Sequence, residues 1–178
     1  GYDVTLLHVR NHPPSLAADA ALLKNAPYRT QAIDLLNKTL GGRLRSWRLR
    51  SATKISRSLN QFGLYLPQSL GVALPLLAAA KKFPGDLTIV HNEAPHWVGT
   101  KLLALNRRVA ADIEDWHSED LLPHDRLKRP LGLLRRVEKT LLHSAAYTST
   151  TSQALADALH ERYGGLRPVT ITNSFPLQ

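Results

Sequence analysis

The sequence predicts an α/β fold, a parallel sheet with helices covering both of its faces. Short apolar runs alternate with helix-length stretches along the chain. Leu87-Thr88-Ile89-Val90 is a run of the type found in buried strands. Turn residues separate the segments at Gly41-Gly42, Phe83-Pro84-Gly85 and Gly164-Gly165. Strands that alternate with helices in this way form β-α-β units with right-handed crossovers.

Thr5 to His8 reads as a first strand, stopped by Asn11-His12-Pro13-Pro14. Ser15 can cap a helix over Leu16 to Lys24. Tyr28 to Leu35 is the next strand, after which Gly41-Gly42 is expected to break the chain. Leu44, Trp47, Ile55, Leu59 and Phe62 then fall on one helix face, with arginines filling much of the rest. Pro67 suits the first turn of a helix over Gln68 to Lys82. The strand Leu87 to Val90 carries His91 at its carboxyl end, and Pro95 is expected to start a helix through Asn106. Val109 to Ile113 is a strand that runs into an acidic loop. Leu131 to Leu142 is helical, with Leu134, Val137 and Leu141 on one side. A strand over Ala146 to Ser149 follows, then a helix capped by Ser152 and stopped after Tyr163 by Gly164-Gly165. Val169 to Thr172 is the last strand.

At 178 residues the chain is long enough for one domain with a real core. The longest apolar stretch, Val72 to Ala80, is broken by Pro75, so no segment of this sequence approaches a bilayer span, and no secretory leader is expected. Without cysteine there are no disulfides or thiolate metal sites. The absence of Met, and an opening at Gly1 to Leu7 that reads as the entry to an interior strand, lead us to expect a piece of a longer protein. The net charge of +9 points to an anionic partner. Arg43, Arg45, Arg48, Arg50, Lys54 and Arg57 lie in one stretch with no acid among them. Three readings fit that stretch: a solvated helix face, a helix lying with Trp47 on an anionic bilayer, or a domain helix whose apolar side faces the sheet.

Ligands of parallel sheets bind beyond the carboxyl ends of the strands. Those ends carry His8, His91-Asn92-Glu93, the loop Glu114 to Asp120, Thr150-Thr151-Ser152 and Asn173. Five of the chain's 14 acids, Asp112, Glu114, Asp115, Glu119 and Asp120, cluster there despite the basic balance. With His117 they can act as a general base or bond sugar hydroxyls, or simply form a polar loop that caps a short helix. Trp116 can stack on a sugar ring or anchor the loop in the core. Thr148 to Ser152 can hold an anion or cap the helix that follows. No Gly-x-Gly-x-x-Gly follows a strand and no P-loop is present, so a dinucleotide enzyme and a P-loop NTPase are unsupported. His91 and His96 are five apart, and His117 and His124 seven, so neither pair has the spacing of metal ligands on one helix face, and no metal is expected.

In their order and spacing, several pieces resemble the amino-terminal half of a GT-B glycosyltransferase of the large retaining group called glycosyltransferase family 4. Gly1 to Leu7 looks like the family's entry to its second strand. Asp86 to His91 is similar to its Asp-x-x-His-x-His strand end, with Ile89 at the first His position and His91 at the second. Asp112-Ile113-Glu114-Asp115 resembles Asp-x-His-Glu/Asp, with Glu114 at the His position. Glu138, the small-residue strand before Ser152, Tyr163-Gly164 and Ile171-Thr172-Asn173 complete the likeness.

The resemblance implies a Rossmann-like acceptor-binding domain over residues 1–172, its first strand missing, and the start of an interdomain linker over 173–178. Glu114, His117 and Asp115 become the catalytic candidates, and His91, Asn92, Glu93 and Glu119 the acceptor-binding ones. The whole protein would move a sugar, with retained configuration, from a nucleotide-sugar donor held by a missing second domain to a lipid-linked, polysaccharide or small-molecule acceptor. The fragment itself would hold no cofactor and would lack turnover. Arg45, Trp47, Arg48 and Arg50 would face an anionic membrane surface, and the location expected is cytoplasmic, peripheral at the inner face of the membrane. The rival readings are a GT-B-like sugar-nucleotide epimerase or non-catalytic sugar-binding module, and a basic nucleic-acid-binding domain. The last lacks interleaved aromatics, and no nucleic acid is expected.

Overall fold

The computed structural model describes residues 1–126 and 128–173. The expected linker therefore lies, apart from Asn173, outside the described residues. The strands are β1 (Thr5–Arg10), β2 (Arg29–Asp34), β3 (Thr88–His91), β4 (Val109–Ile113), β5 (Thr148–Thr150) and β6 (Val169–Thr170). The helices are α1 (Leu16–Leu23), α2 (Leu40–Leu59), α3 (Ala73–Ala80), α4 (Glu93–Leu103), α5 (Pro123–Arg126), α6 (Leu131–Ser144) and α7 (Gln153–Tyr163). All strand pairs among them are parallel, as the alternation predicts.

The strands do not form one continuous ladder. β1 pairs with β2, and a separate four-stranded sheet runs β3-β4-β5-β6. The apolar side chains of both parts still meet, because Leu7, Val9 and Ile33 pack against the core built around the larger sheet. β4 shows why that sheet needs helices on both faces. Val109, Ala110, Ala111 and Ile113 are all buried, and successive residues of a strand point to opposite sides. α4 packs on β3 and β4 and against α3 and α6, while α7 packs on β5 and β6. Gly99 lets α4 come close, since a Cβ there would sit 2.9 Å from Val90 Cγ2.

Several boundaries differ from expectation. β1 continues past His8 to Arg10, so His8 is interior to the strand rather than at its end. Gly41-Gly42 does not break the chain. Thr39 accepts a hydrogen bond from the Gly42 amide, and both glycines lie in the first turn of α2, where a cap offsets their poor helix propensity. The single helix expected after Pro67 is a 3-10 turn, Pro67–Leu70, followed by α3, because Gly71 has φ +70 between them. α4 starts at Glu93, two residues before Pro95, with Asn92 at φ 73 making the corner. The strand expected from Ala146 is shifted to Thr148–Thr150. β4 and the capped α7 match the sequence reading at both ends.

The main correction concerns α2. Its buried residues are Ser46 and Ser56, whereas Leu44, Trp47, Ile55 and Phe62, the last just beyond its end, are more than half exposed. The apolar side of this helix therefore faces away from the sheet. The inner side is held partly by polar bonds: Ser46 Oγ donates to the Leu35 carbonyl, and Arg57 Nε to that of Ser69.

Candidate functional site

The parallel register builds the site. His91 of β3 pairs with Asp112 of β4, and Asp112 with Ser149 of β5. Residues in one such row share a sheet face. His91 Nδ1 is 3.1 Å from Asp112 Oδ2, and Ser149 Oγ donates to Asp112 Oδ1 at 2.8 Å. The next row places Thr150 beside Ile113, where its hydroxyl donates to the Ile113 carbonyl at 2.6 Å.

Past the strand ends, Glu114 gathers the rim. Its Oε2 lies 3.2 Å from His91 Nε2, its Oε1 accepts from Asn173 Nδ2 at 3.1 Å, and its carbonyl accepts from Thr151 Oγ1 at 3.3 Å. The last residue of β3 and the segments following β5 and β6 thus converge on one residue following β4. His91 has a carboxylate at each ring nitrogen. A neutral imidazole has one N–H, so a ring that donates from Nδ1 to Asp112 turns an acceptor Nε2 toward the mouth of the rim. His91, Asp112 and Glu114 are each between a third and a half exposed, so a ligand can reach them.

A second cluster lies beside the first. His96 of α4 is buried, and its Nε2 donates to the Asp112 carbonyl at 2.8 Å, because that oxygen can only accept. Burial lowers its pKa to about 4, with the neighbouring His117 and His91 acting in the same direction. The His117 ring is 5.5 Å from that of His96. His117 is also buried, and burial pulls its pKa below the ordinary value against the opposing field of Asp120 and Asp115. Its Nδ1 stands 3.9 Å from both Glu93 and Asp120, too far to bond, and its Nε2 is buried without a partner among the described residues. Such an orphan in a native interior asks for an explanation. Arg129 neutralises the acids around it, pairing with Glu93 and, at 3.2 Å, with Asp120.

The acidic loop is pinned from below by Glu138 of α6. This carboxylate accepts from the Ser118 amide at 2.9 Å, from Ser118 Oγ at 2.7 Å and from the Tyr163 hydroxyl at 2.7 Å. It is almost wholly buried, which raises its pKa despite the three donors. Trp116 packs edge-on against Tyr163, as an anchor of the loop in the core.

The residues singled out from the sequence thus separate. His91 and Glu114 meet at the rim, with Asp112, Ser149 and Asn173. Glu93 and His117 meet in the neighbouring cluster. Asp115 is exposed at the turn between the two and accepts a bond from the His117 amide through its carbonyl. Asn92 makes the corner into α4 and gives it no side-chain cap. Both oxygens of Glu119 are taken by Arg126 and Arg135, at 2.5 and 2.9 Å, so it braces the loop. The anion-holding reading of Thr148 to Ser152 is not supported. Ser149, Thr150 and Thr151 donate to acceptors on or after β4, and Ser152 caps α7. Arg45, Trp47, Arg48 and Arg50 are all exposed on α2.

Fold and site together define an α/β protein with a polar rim at the carboxyl ends of its parallel strands. No protein-family model matches the chain, and no curated protein matches it. Among the described residues, no helix is long and apolar enough to cross a membrane.

Proposed function

We propose that this chain is the Rossmann-like, acceptor-side domain of a GT-B retaining glycosyltransferase, spanning residues 1–172, with a second domain supplying the nucleotide-sugar. The observation that carries the reading is the convergence of His91, Asp112, Glu114 and Asn173 on one rim. Sugar transfer needs an acceptor hydroxyl oriented and relieved of its proton. A hydroxyl that enters between His91 Nε2 and Glu114 meets a proton acceptor on one side and a hydrogen-bonding carboxylate on the other. Asp112 holds the opposite ring nitrogen, the base-and-orienter arrangement that proton transfer requires. His117 stands behind this rim with its Nε2 buried, so that nitrogen is not presented to an incoming sugar.

The split between β1-β2 and β3-β6 supports the expectation of one more strand. β1 and β3 each have a single paired edge, and Leu6 and Ile89 leave apolar surface there. The outward apolar stripe of α2, flanked by arginines, favours a peripheral place on an anionic membrane at the cytoplasmic face.

A second reading follows from how fully the rim satisfies itself. Asp112 already holds His91 and Asn173 already holds Glu114, so the same groups can hold sugar hydroxyls without catalysis, as in a sugar-binding module or an epimerase-like relative. The intact protein, given a panel of nucleotide-sugars and a membrane extract as acceptor, separates the two. Under the transferase reading, His91→Ala and Glu114→Gln each slow transfer by about 100-fold or more, the usual share of a positioned base. Rates equal to wild type in both variants would overturn the assignment. Binding of sugar with no transfer by the wild type would favour the module.

A further inference from the structure

We propose that the groove between α2 and the α5–α6 segment is a binding site for a phosphoryl group, and that the acceptor of this protein is a phosphorylated molecule without an aromatic base. The binding stands on the groove alone; only the word acceptor rests on the transferase reading.

The groove holds about 1220 Å³ and is lined on one wall by Arg50, Lys54 and Arg57 of α2 and on the other by Lys128 and Arg129. Arg50, Lys54 and Arg57 lie four and three residues apart, which places them on one helix face. The wall is fixed in place, because Arg57 Nε donates to the Ser69 carbonyl at 3.1 Å and Asn60 Nδ2 to the Lys128 carbonyl at 3.1 Å. Among the described residues, the one carboxylate lining it, Glu93, is paired with Arg129, whose second nitrogen reaches Asp120. Among the described residues, no carboxylate lies within 4.0 Å of a charged nitrogen of Arg50, Lys54, Arg57 or Lys128.

Four cations that converge on a concave wall without counter-charges repel one another, and an anion between them removes that cost. Arginine and lysine together suit a phosphate, which takes paired N–H donors and a point charge. Among the described residues no Trp, Tyr or Phe lines the groove and His124 is its single aromatic ring, so it lacks the row of stacking platforms that a single strand of nucleic acid uses. Its end at Glu93 is 3.9 Å from His117, so a molecule anchored there by phosphate extends toward the polar rim.

Inorganic diphosphate titrated calorimetrically into the intact protein tests the proposal. Saturable binding is expected, weakened at least tenfold (about 1.4 kcal/mol) by the double variant Lys54→Ala/Lys128→Ala. Both side chains are exposed and neither makes a side-chain hydrogen bond among the described residues, so the fold should tolerate the change. Lys54→Glu, a reversal at one exposed site, should weaken binding as well. A flat titration, or equal affinity in the wild type and both variants, overturns the proposal. Phosphatidylcholine vesicles carrying phosphatidic acid identify the source of the phosphate. Displacement from the vesicles by diphosphate, lost in the double variant, assigns a lipid headgroup. Vesicle binding indifferent to diphosphate assigns a water-soluble phosphorylated ligand. Failure of the transferase reading would show instead as wild-type transfer by His91→Ala, with diphosphate binding intact.

Discussion

Acidification should destabilise this protein, and His96 should account for much of the effect. In the unfolded chain its imidazole takes a proton near 6.5; in the fold, burial holds that affinity down to about 4. The folded state therefore binds fewer protons than the unfolded state between these values. Stability is fully present above 6.5 and is lost as the pH falls toward 4. At 1.36 kcal/mol for each tenfold difference in proton affinity, the whole interval is worth about 3 kcal/mol. That is a large part of the about 5–15 kcal/mol total of an ordinary domain. His117 is shifted the same way and adds to the loss. Glu138 and Asp120, whose affinities are raised by burial, act in the opposite sense, since acid relieves the cost of their charge. The perturbation that isolates His96 is His96→Gln, which keeps a donor for the Asp112 carbonyl but cannot titrate. Urea unfolding followed by tryptophan fluorescence at a series of pH values measures both proteins. The wild type should lose about 3 kcal/mol more than the variant between pH 7 and pH 4. Parallel curves over that range would refute the argument, whatever the absolute stabilities.

Two further outcomes follow from other contacts. Glu138→Ala leaves the Ser118 amide without an acceptor, and of the Ser118 and Tyr163 hydroxyls, 3.2 Å apart, only one can then donate to the other; the change should cost about 3 kcal/mol or more in urea unfolding at neutral pH, because each stranded donor carries about 1–3 kcal/mol. A loss below about 1 kcal/mol would mean the loop finds another anchor. Arg45, Arg48 and Arg50 flank the exposed stripe of α2, and at about 1 kcal/mol for each basic residue near an anionic surface their joint replacement by Ser should weaken vesicle co-sedimentation by about 100-fold. Unchanged sedimentation would remove the membrane from the account.

Much of the fold was legible because its signals are local. β4 and α7 match the sequence reading at both ends, the first from an apolar run and the second from a Ser cap and a Gly-Gly stop. Misreadings arose where a tertiary contact overrode a local preference. Gly41-Gly42 reads as a break, but the Thr39 cap and the long helix behind it carry those residues into the first turn. The stripe on α2 has helical period, and period alone does not say whether a stripe faces protein or solvent; Ser46 and Ser56, buried on the other side, decide it. In the site, His91 and Glu114 stand out as strand-end polar residues, whereas the Asp112 and Ser149 contacts depend on register, which no single strand states. Glu138 did leave a trace: an acid between Val137 and Leu141, on a helix whose other inward positions are apolar.

The two polar clusters are tied together through a single backbone group. His96 Nε2 holds the Asp112 carbonyl, while the Asp112 side chain holds His91 and Ser149. A change that moves His96 must therefore move the strand end that positions the rim. The same neutral imidazole also faces His117, whose Nε2 is unpartnered among the described residues and whose Nδ1 stands 3.9 Å from Glu93, a residue of the basic groove. Protonating His96 leaves its bond to the Asp112 carbonyl in place but sets a buried charge against the neighbouring imidazoles of His117 and His91, and so pushes on the ring that Asp112 holds. Loss of His91–Asp112 alignment should then accompany the acid-induced loss of stability, rather than follow it after global unfolding. Imidazole proton resonances of His91, followed by NMR across the same pH range, distinguish these cases. A His91 environment that is constant until the cooperative transition would mean the two clusters share a wall but not a linkage.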